Sequence, residues 1–126
     1  MPSAKIIKSP VCNVTCFDQE KVARIKAELA KDEQLLPQLA ELYKLLGNVT
    51  RLKILLSLAH GELCVCDVAH VLGLTVAATS HQLKLLRSQG WLSMRNDGKM
   101  VYYRVHSESL LKALRGDLSL LEERLA

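Results

Sequence analysis

Large aromatic side chains are scarce in this 126-residue chain, which has one Phe, one Trp and three Tyr. Apolar residues still make up 49% of it, enough for one domain with a core of aliphatic side chains. No uninterrupted apolar stretch approaches the ~20 residues of a membrane-spanning helix, so no membrane partner is expected. Pro2, Ser3 and Ala4 do not lead into the apolar run of about 7–15 residues that a secretory leader needs. A cytoplasmic protein is the expectation. Enzyme signatures are missing as well: there is no glycine-rich phosphate loop, no Ser/His/Asp arrangement and no C-x-x-C on an α/β pattern. Neither catalysis nor a small-molecule substrate is expected. Repeats and low-complexity tracts are also absent.

What is present is positive charge in one place. The chain carries a net +4. Residues 75–104 hold Lys84, Arg87, Arg95, Lys99 and Arg104 against Asp97 alone, a local balance of +4. The other segments nearly cancel. Such a footprint suits a surface that meets phosphates, although a solvated basic face has the same composition.

The periodicity divides the chain into an extended N-terminal arm, residues 1–17, and a mainly helical domain, residues 18–126. Asp18 is placed to cap a first helix, with Val22, Ile25 and Leu29 as its apolar stripe. A second helix is expected over residues 35–46. A third starts near residues 48–50, with Leu52, Leu55, Leu56 and Ala59 inward, and ends at Gly61. A short fourth helix spans residues 67–72, capped by Asp67 and closed by Gly73. A fifth runs from its cap Thr75 to Gln89. After Gly90 the period changes from 3.6 to 2, and WLSMRNDGKMVYYRV reads as a hairpin turning at Asp97-Gly98, with positive φ expected at both. A last helix begins near Ser107. Its Leu111, Leu114, Leu118, Leu121 and Leu125 recur at gaps of 3 and 4, a seam for another helix; a partner subunit or the chain's own core could supply it.

Helix, tight turn, helix and β-hairpin, in that order, predict a dimeric winged helix-turn-helix, mainly α with a β-hairpin. In such a fold the second helix of the pair enters the major groove. Its core side is expected at Ala77, Leu83 and Leu86. Thr75, Ala78, Thr79, His81, Gln82 and Lys84 are left for DNA, and Arg95 and Lys99 of the hairpin for a flanking groove or the phosphates.

The cysteines fall in two pairs, Cys12 and Cys16 in CNVTC and Cys64 and Cys66 in CVC. In a reducing cytosol four thiols do not read as a disulfide framework. Residues i and i+2 point the same way in an extended chain and about 200° apart on a helix, so Cys64 and Cys66 can grip one ion only where the chain is not helical. Four readings stand: unconnected cysteines, a thiol–disulfide switch, a structural zinc site, and a reversible site for a soft metal ion.

ELCVCD, GLTVAATSHQLKLLRSQG and RNDGKMVYYRV together resemble the ArsR/SmtB family of metal-sensing transcriptional repressors, and the arm CNVTCFDQEKV resembles its CadC-type cadmium, lead and zinc sensors. The resemblance implies a homodimer on operator DNA, an imperfect palindrome, that lets go when cadmium, lead or zinc binds thiolates. It also implies the ligand set Cys12, Cys16, Cys64 and Cys66, with arm and C-x-C cysteines contributed by opposite subunits. Arsenite-responsive relatives share the C-x-C pair but usually lack such an arm, and arsenite and thiol redox remain the alternative effectors. A second zinc site of many relatives would fall on Ser107, Ser109, Leu120 and Glu123. Only the glutamate matches, and one carboxylate cannot build a four-coordinate zinc site. His60 and His70 read as surface or partly buried side chains, His106 as a solvent-facing polar residue, and Trp91 as core at the hairpin root.

Overall fold

Side-chain caps set the starts of most helices in this chain. The structure, a computed structural model, describes residues 6–8 and 15–126, with side chains from residue 16 onward. It comprises two compact units, Met1–Lys44 and Leu45–Ala126.

In the first unit, β1 (Ile6–Lys8) and β2 (Thr15–Asp18) pair antiparallel, Ile6 opposite Asp18 and Ile7 opposite Phe17. The expected arm is thus extended where it is described, and it pairs with itself. The arm boundary drawn at residue 17 falls within β2. Asp18 caps α1 (Gln19–Ala30), its carboxylate accepting the Lys21 amide at 3.0 Å. The stripe of α1 is open: Val22 is half-buried, and Ile25 and Leu29 are exposed. α2 (Leu36–Leu46) likewise leaves Leu36, Leu39 and Tyr43 exposed.

The second unit holds the core. Asn48 caps α3 (Val49–Leu58) by accepting the Arg51 amide at 3.1 Å. Its buried residues are Ile54, Leu55 and Leu58. Of the four expected inward, only Leu55 is buried; Leu52 and Leu56 are half-buried and Ala59 is exposed. Leucines occupy several faces of this helix, so spacing alone could not choose among them. β3 (Leu63–Cys64), which the sequence reading did not foresee, leads straight into α4 (Val65–Leu72), two residues before its expected start. α5 (Val76–Ser88), β4 (Leu92–Asp97), β5 (Met100–Val105) and α6 (Glu108–Leu125) follow as expected in type and order. The sheet has three strands in the order β3-β5-β4, all antiparallel, one more than a hairpin.

The hairpin turn lies one residue later than expected. Asp97 still pairs with Met100, so the loop is Gly98-Lys99, and only Gly98 has positive φ, at 61°. Glycine at the first loop position provides the reversal that two such residues were expected to share. On α6, Leu110 and Leu114 are buried in this chain's own core, while Leu118, Leu121 and Leu125 are exposed. The leucine seam is therefore divided between two environments. Among the described residues no helix is long and apolar enough to cross a membrane.

Candidate nucleic-acid interface and cysteine pair

The helix pair is joined by a turn that its sequence prescribes. Gly73, at φ 67°, ends α4 in the left-handed conformation, and its amide donates to His70 while that of Leu74 donates to Ala69. This Schellman arrangement satisfies carbonyls that a helix end leaves without partners. Thr75 then starts α5, its hydroxyl accepting the Ala78 amide at 3.1 Å. Thr79, Leu83 and Leu86 are fully buried on the inner face of α5. Burial of the two leucines contributes roughly 2–3 kcal/mol each and fixes which face points out.

Two assignments on α5 change as a result. Thr79, expected to touch DNA, is inside, its hydroxyl donating to the Thr75 carbonyl at 2.8 Å. It lies one turn before Leu83 and two before Leu86, so it shares their face. Ala77, expected in the core, is exposed, as are Ala78, His81 and Lys84. Gln82 lies at the edge of this outer face, half-buried. Its side-chain oxygen accepts a hydrogen bond from Arg51 Nε at 3.1 Å, and Arg51 Nη1 donates to the Leu45 carbonyl, also at 3.1 Å.

The hairpin places Lys99 at its tip, exposed. Arg95 is exposed too, but it is already engaged. Its Nη2 and Nε lie 2.7 and 2.8 Å from Glu62 Oε1, Asp97 stands 3.6 Å away, and the guanidinium covers the Tyr102 ring at 4.6 Å. The hydrogen bond to Glu62, followed by the charges of Glu62 and Asp97, holds its pKa above the usual arginine value. Glu62 comes from outside the basic segment and offsets one of its charges. Sequence reasoning missed Arg51 and Glu62, whose partners lie 31 and 33 residues away along the chain.

Cys64 ends β3 and occupies the cap position of α4 with extended backbone, φ −81° and ψ 165°, and it is buried. Cys66 is the second residue of α4 and is exposed. The condition of a non-helical stretch is met at Cys64 and not at Cys66. Asp67, expected as the cap itself, is the third helical residue; its carboxylate accepts the Cys64 amide at 3.4 Å and so braces the same joint. Negative charge on either sulfur would meet the positive end of the α4 dipole. Cys16 is exposed on β2, and Cys12 lies outside the described residues. Among the described residues no three His, Cys, Asp or Glu side chains stand close enough to hold a metal ion. His60, His70 and His106 are exposed, and the Ser107 hydroxyl accepts the Leu110 amide as the cap of α6.

The family model described as "Bacterial regulatory protein, arsR family" matches residues 48–93, from α3 to the first residues of β4. A cadmium resistance transcriptional regulatory protein, CadC, of Listeria innocua is 36% identical over 121 residues, covering 95% of this chain and 100% of the relative. A CadC homolog of Staphylococcus aureus is 41% identical over 99 residues, 78% of this chain and 80% of the relative. Among solved structures, the homodimeric winged helix-turn-helix DNA-binding domain of a possible ArsR-family regulator from Mycobacterium bovis matches with a TM-score of 0.67. It is 33% identical, and the match covers 75% of this chain and 88% of that one.

Proposed function

The chain belongs to the arsR family of bacterial regulatory proteins, in its CadC-like branch, and we propose that it represses transcription as a homodimer on operator DNA until a soft metal ion binds its cysteine thiolates. Family and fold are those of DNA-binding transcriptional regulators, not of enzymes. The effector in this reading is cadmium or lead, with zinc as a harder alternative.

The donor chemistry fits such an ion, since sulfur ligands select soft metals. Cys64 and Cys66 supply two sulfurs at one joint, and among the described residues no three His, Cys, Asp or Glu side chains cluster there to hold an ion. The remaining ligands in this reading are Cys12 and Cys16, taken from the opposite subunit as in the family this chain resembles. That division of ligands makes dimerisation a condition of sensing. Metal binding requires the thiols to lose their protons, so the response weakens in acid.

The observation that carries the reading is the place of Cys64. It is both the last residue of β3 and the cap of α4, the first helix of the helix-turn-helix. A ligand that draws Cys64 and Cys66 together must alter either the extended backbone at Cys64 or the first turn of α4. Both lead directly to the groove-facing helix α5 and, through β3, to the hairpin.

The test is fluorescence anisotropy of a labelled imperfect palindrome with half-sites about 10 bp apart, run under reductant. Wild-type protein should leave the operator when cadmium or lead is added. Cys66→Ser and Cys64→Ser should bind the operator and stay on it. Cys16→Ser should soften the response, because three thiolates suffice for lead. Release on oxidation together with indifference to both metals would replace this reading with a redox one.

A further inference from the structure

We infer that Arg51 is a positioning residue for DNA recognition: it holds the Gln82 side-chain amide by its oxygen, so that the amide nitrogen is the end left to meet a base. The inference rests on the reading of α5 as the groove-facing helix and adds which chemical groups Gln82 can recognise there.

An arginine side chain only donates hydrogen bonds. The atom of Gln82 next to Arg51 Nε, at 3.1 Å, must therefore be the carbonyl oxygen, which settles an orientation that amide groups often leave open. Arg51 is itself held at two further points. Nη1 donates to the Leu45 carbonyl, in the last turn of α2 where carbonyls lack helical partners, and its backbone amide donates to the Asn48 side chain. The guanidinium fork thus spans the end of α2 and the side of α5. A lysine, with one nitrogen at the end of a flexible stem, cannot hold both acceptors in that geometry. Arg51 is half-buried, so its charge-assisted bonds are less exposed to competition from water.

A free glutamine amide recognises adenine with both ends, accepting from N6 and donating to N7. With its oxygen turned toward α3 and one of the two lone pairs taken by Arg51, Gln82 presents chiefly the donor half of that pattern. The bases that suit it best offer acceptors in the major groove without a donor that Gln82 must match: guanine through O6 and N7, and thymine through O4. Adenine offers N7 as well, but its N6 donor then faces no free acceptor, which ranks it below them. Cytosine offers only a donor there and is disfavoured.

The experiment measures operator affinity of the full-length protein with each base at each half-site position, for wild type, Gln82→Ala, Arg51→Met and Arg51→Lys. Gln82→Ala should flatten the preference at one position, where wild type favours guanine or thymine. Arg51→Met should move that same position toward adenine by about tenfold, and Arg51→Lys should move it the same way to a smaller extent. If Gln82→Ala flattens the position but both Arg51 variants keep the wild-type preference, the positioning role is overturned while the DNA contact stands. If Gln82→Ala changes no position, the contact itself is wrong. A wild-type preference for adenine or cytosine there overturns the inference without any Arg51 variant, which covers the case in which those variants fail to fold.

Discussion

Cys64 and Arg95 stand on one rung of the sheet: Cys64 on β3 pairs with Tyr102 on β5, and Tyr102 pairs with Arg95 on β4. Directly paired residues in an antiparallel sheet point to the same side. The rung runs from a buried thiol, through a half-buried ring, to an exposed cation lying over that ring. Glu62, two residues before Cys64, closes the path by holding the arginine. A change at the thiol thus has a short mechanical route to the hairpin, besides the one through α4 to α5.

Glu62 already holds Arg95, so in the proposed DNA complex it would compete with the phosphates for that cation, which gives the first prediction. Glu62→Gln removes the competing charge, so operator affinity should rise and its dependence on salt should steepen by up to about one unit of log–log slope, one phosphate contact. Lys99→Ala should do the reverse, weakening all sequences alike and flattening the slope. Neither change should move the thermal midpoint much, because both side chains are at the surface. Anisotropy titrations at several salt concentrations would show it; an unchanged slope in both variants would remove the hairpin from the interface.

Thr79 separates packing from recognition. Thr79→Val keeps the shape and removes the hydroxyl that donates to the Thr75 carbonyl, which still accepts the Thr79 amide at 3.0 Å. The expected cost is about 1 kcal/mol of stability, the net worth of one such bond. Operator base preference should not change. Thermal unfolding and the base-substitution series together decide the matter, since a residue that reads DNA would show the opposite pattern.

Much of the fold was legible because its signals are local. Asp18, Asn48, Thr75 and Ser107 cap helices within three residues of themselves, and Gly73 and Gly98 occupy the positive φ their turns require. The two residues of β3 carried no periodicity to detect. The placement of Thr79 is readable from its spacing to Leu83 and Leu86, while its polarity points the other way. The partners of Gln82 and Arg95 arrive from 31 and 33 residues away, and no spacing rule reaches that far. The cysteine spacing pointed to the joint between β3 and α4, while the split between a buried Cys64 and an exposed Cys66 depends on where α4 starts.

The α6 leucines should separate folding from association. Leu114 is buried within its own chain, so Leu114→Asp places an unpaired charge in the core and should unfold the protein. Leu121 is about half exposed, and Leu121→Asp should leave the circular dichroism spectrum intact. In the homodimer reading it should instead shift sedimentation from dimer toward monomer and weaken operator binding. Glu123→Gln should leave metal stoichiometry unchanged; loss of a bound zinc ion on that substitution would restore the second site that the sequence reading discounts.

The coupling between effector and operator can be measured from either end. A metal ion can weaken operator binding only by the extent to which it prefers the shape that binds DNA poorly. A typical coupling of about 1–3 kcal/mol makes operator binding roughly 5–150-fold weaker in the metal-bound protein. Linkage then requires the operator to weaken metal binding by the same factor. Cadmium titrations followed by sulfur-to-metal charge-transfer absorption, with and without saturating operator, give the second number; anisotropy with and without cadmium gives the first. Glu62→Gln should reduce the coupling if the rung from Cys64 to Arg95 transmits part of it, while leaving cadmium affinity of the free protein unchanged. Equal coupling in wild type and variant would assign the whole effect to the α4 route. Metal affinity unmoved by operator in the wild type would mean that the thiols bind metal without sensing it.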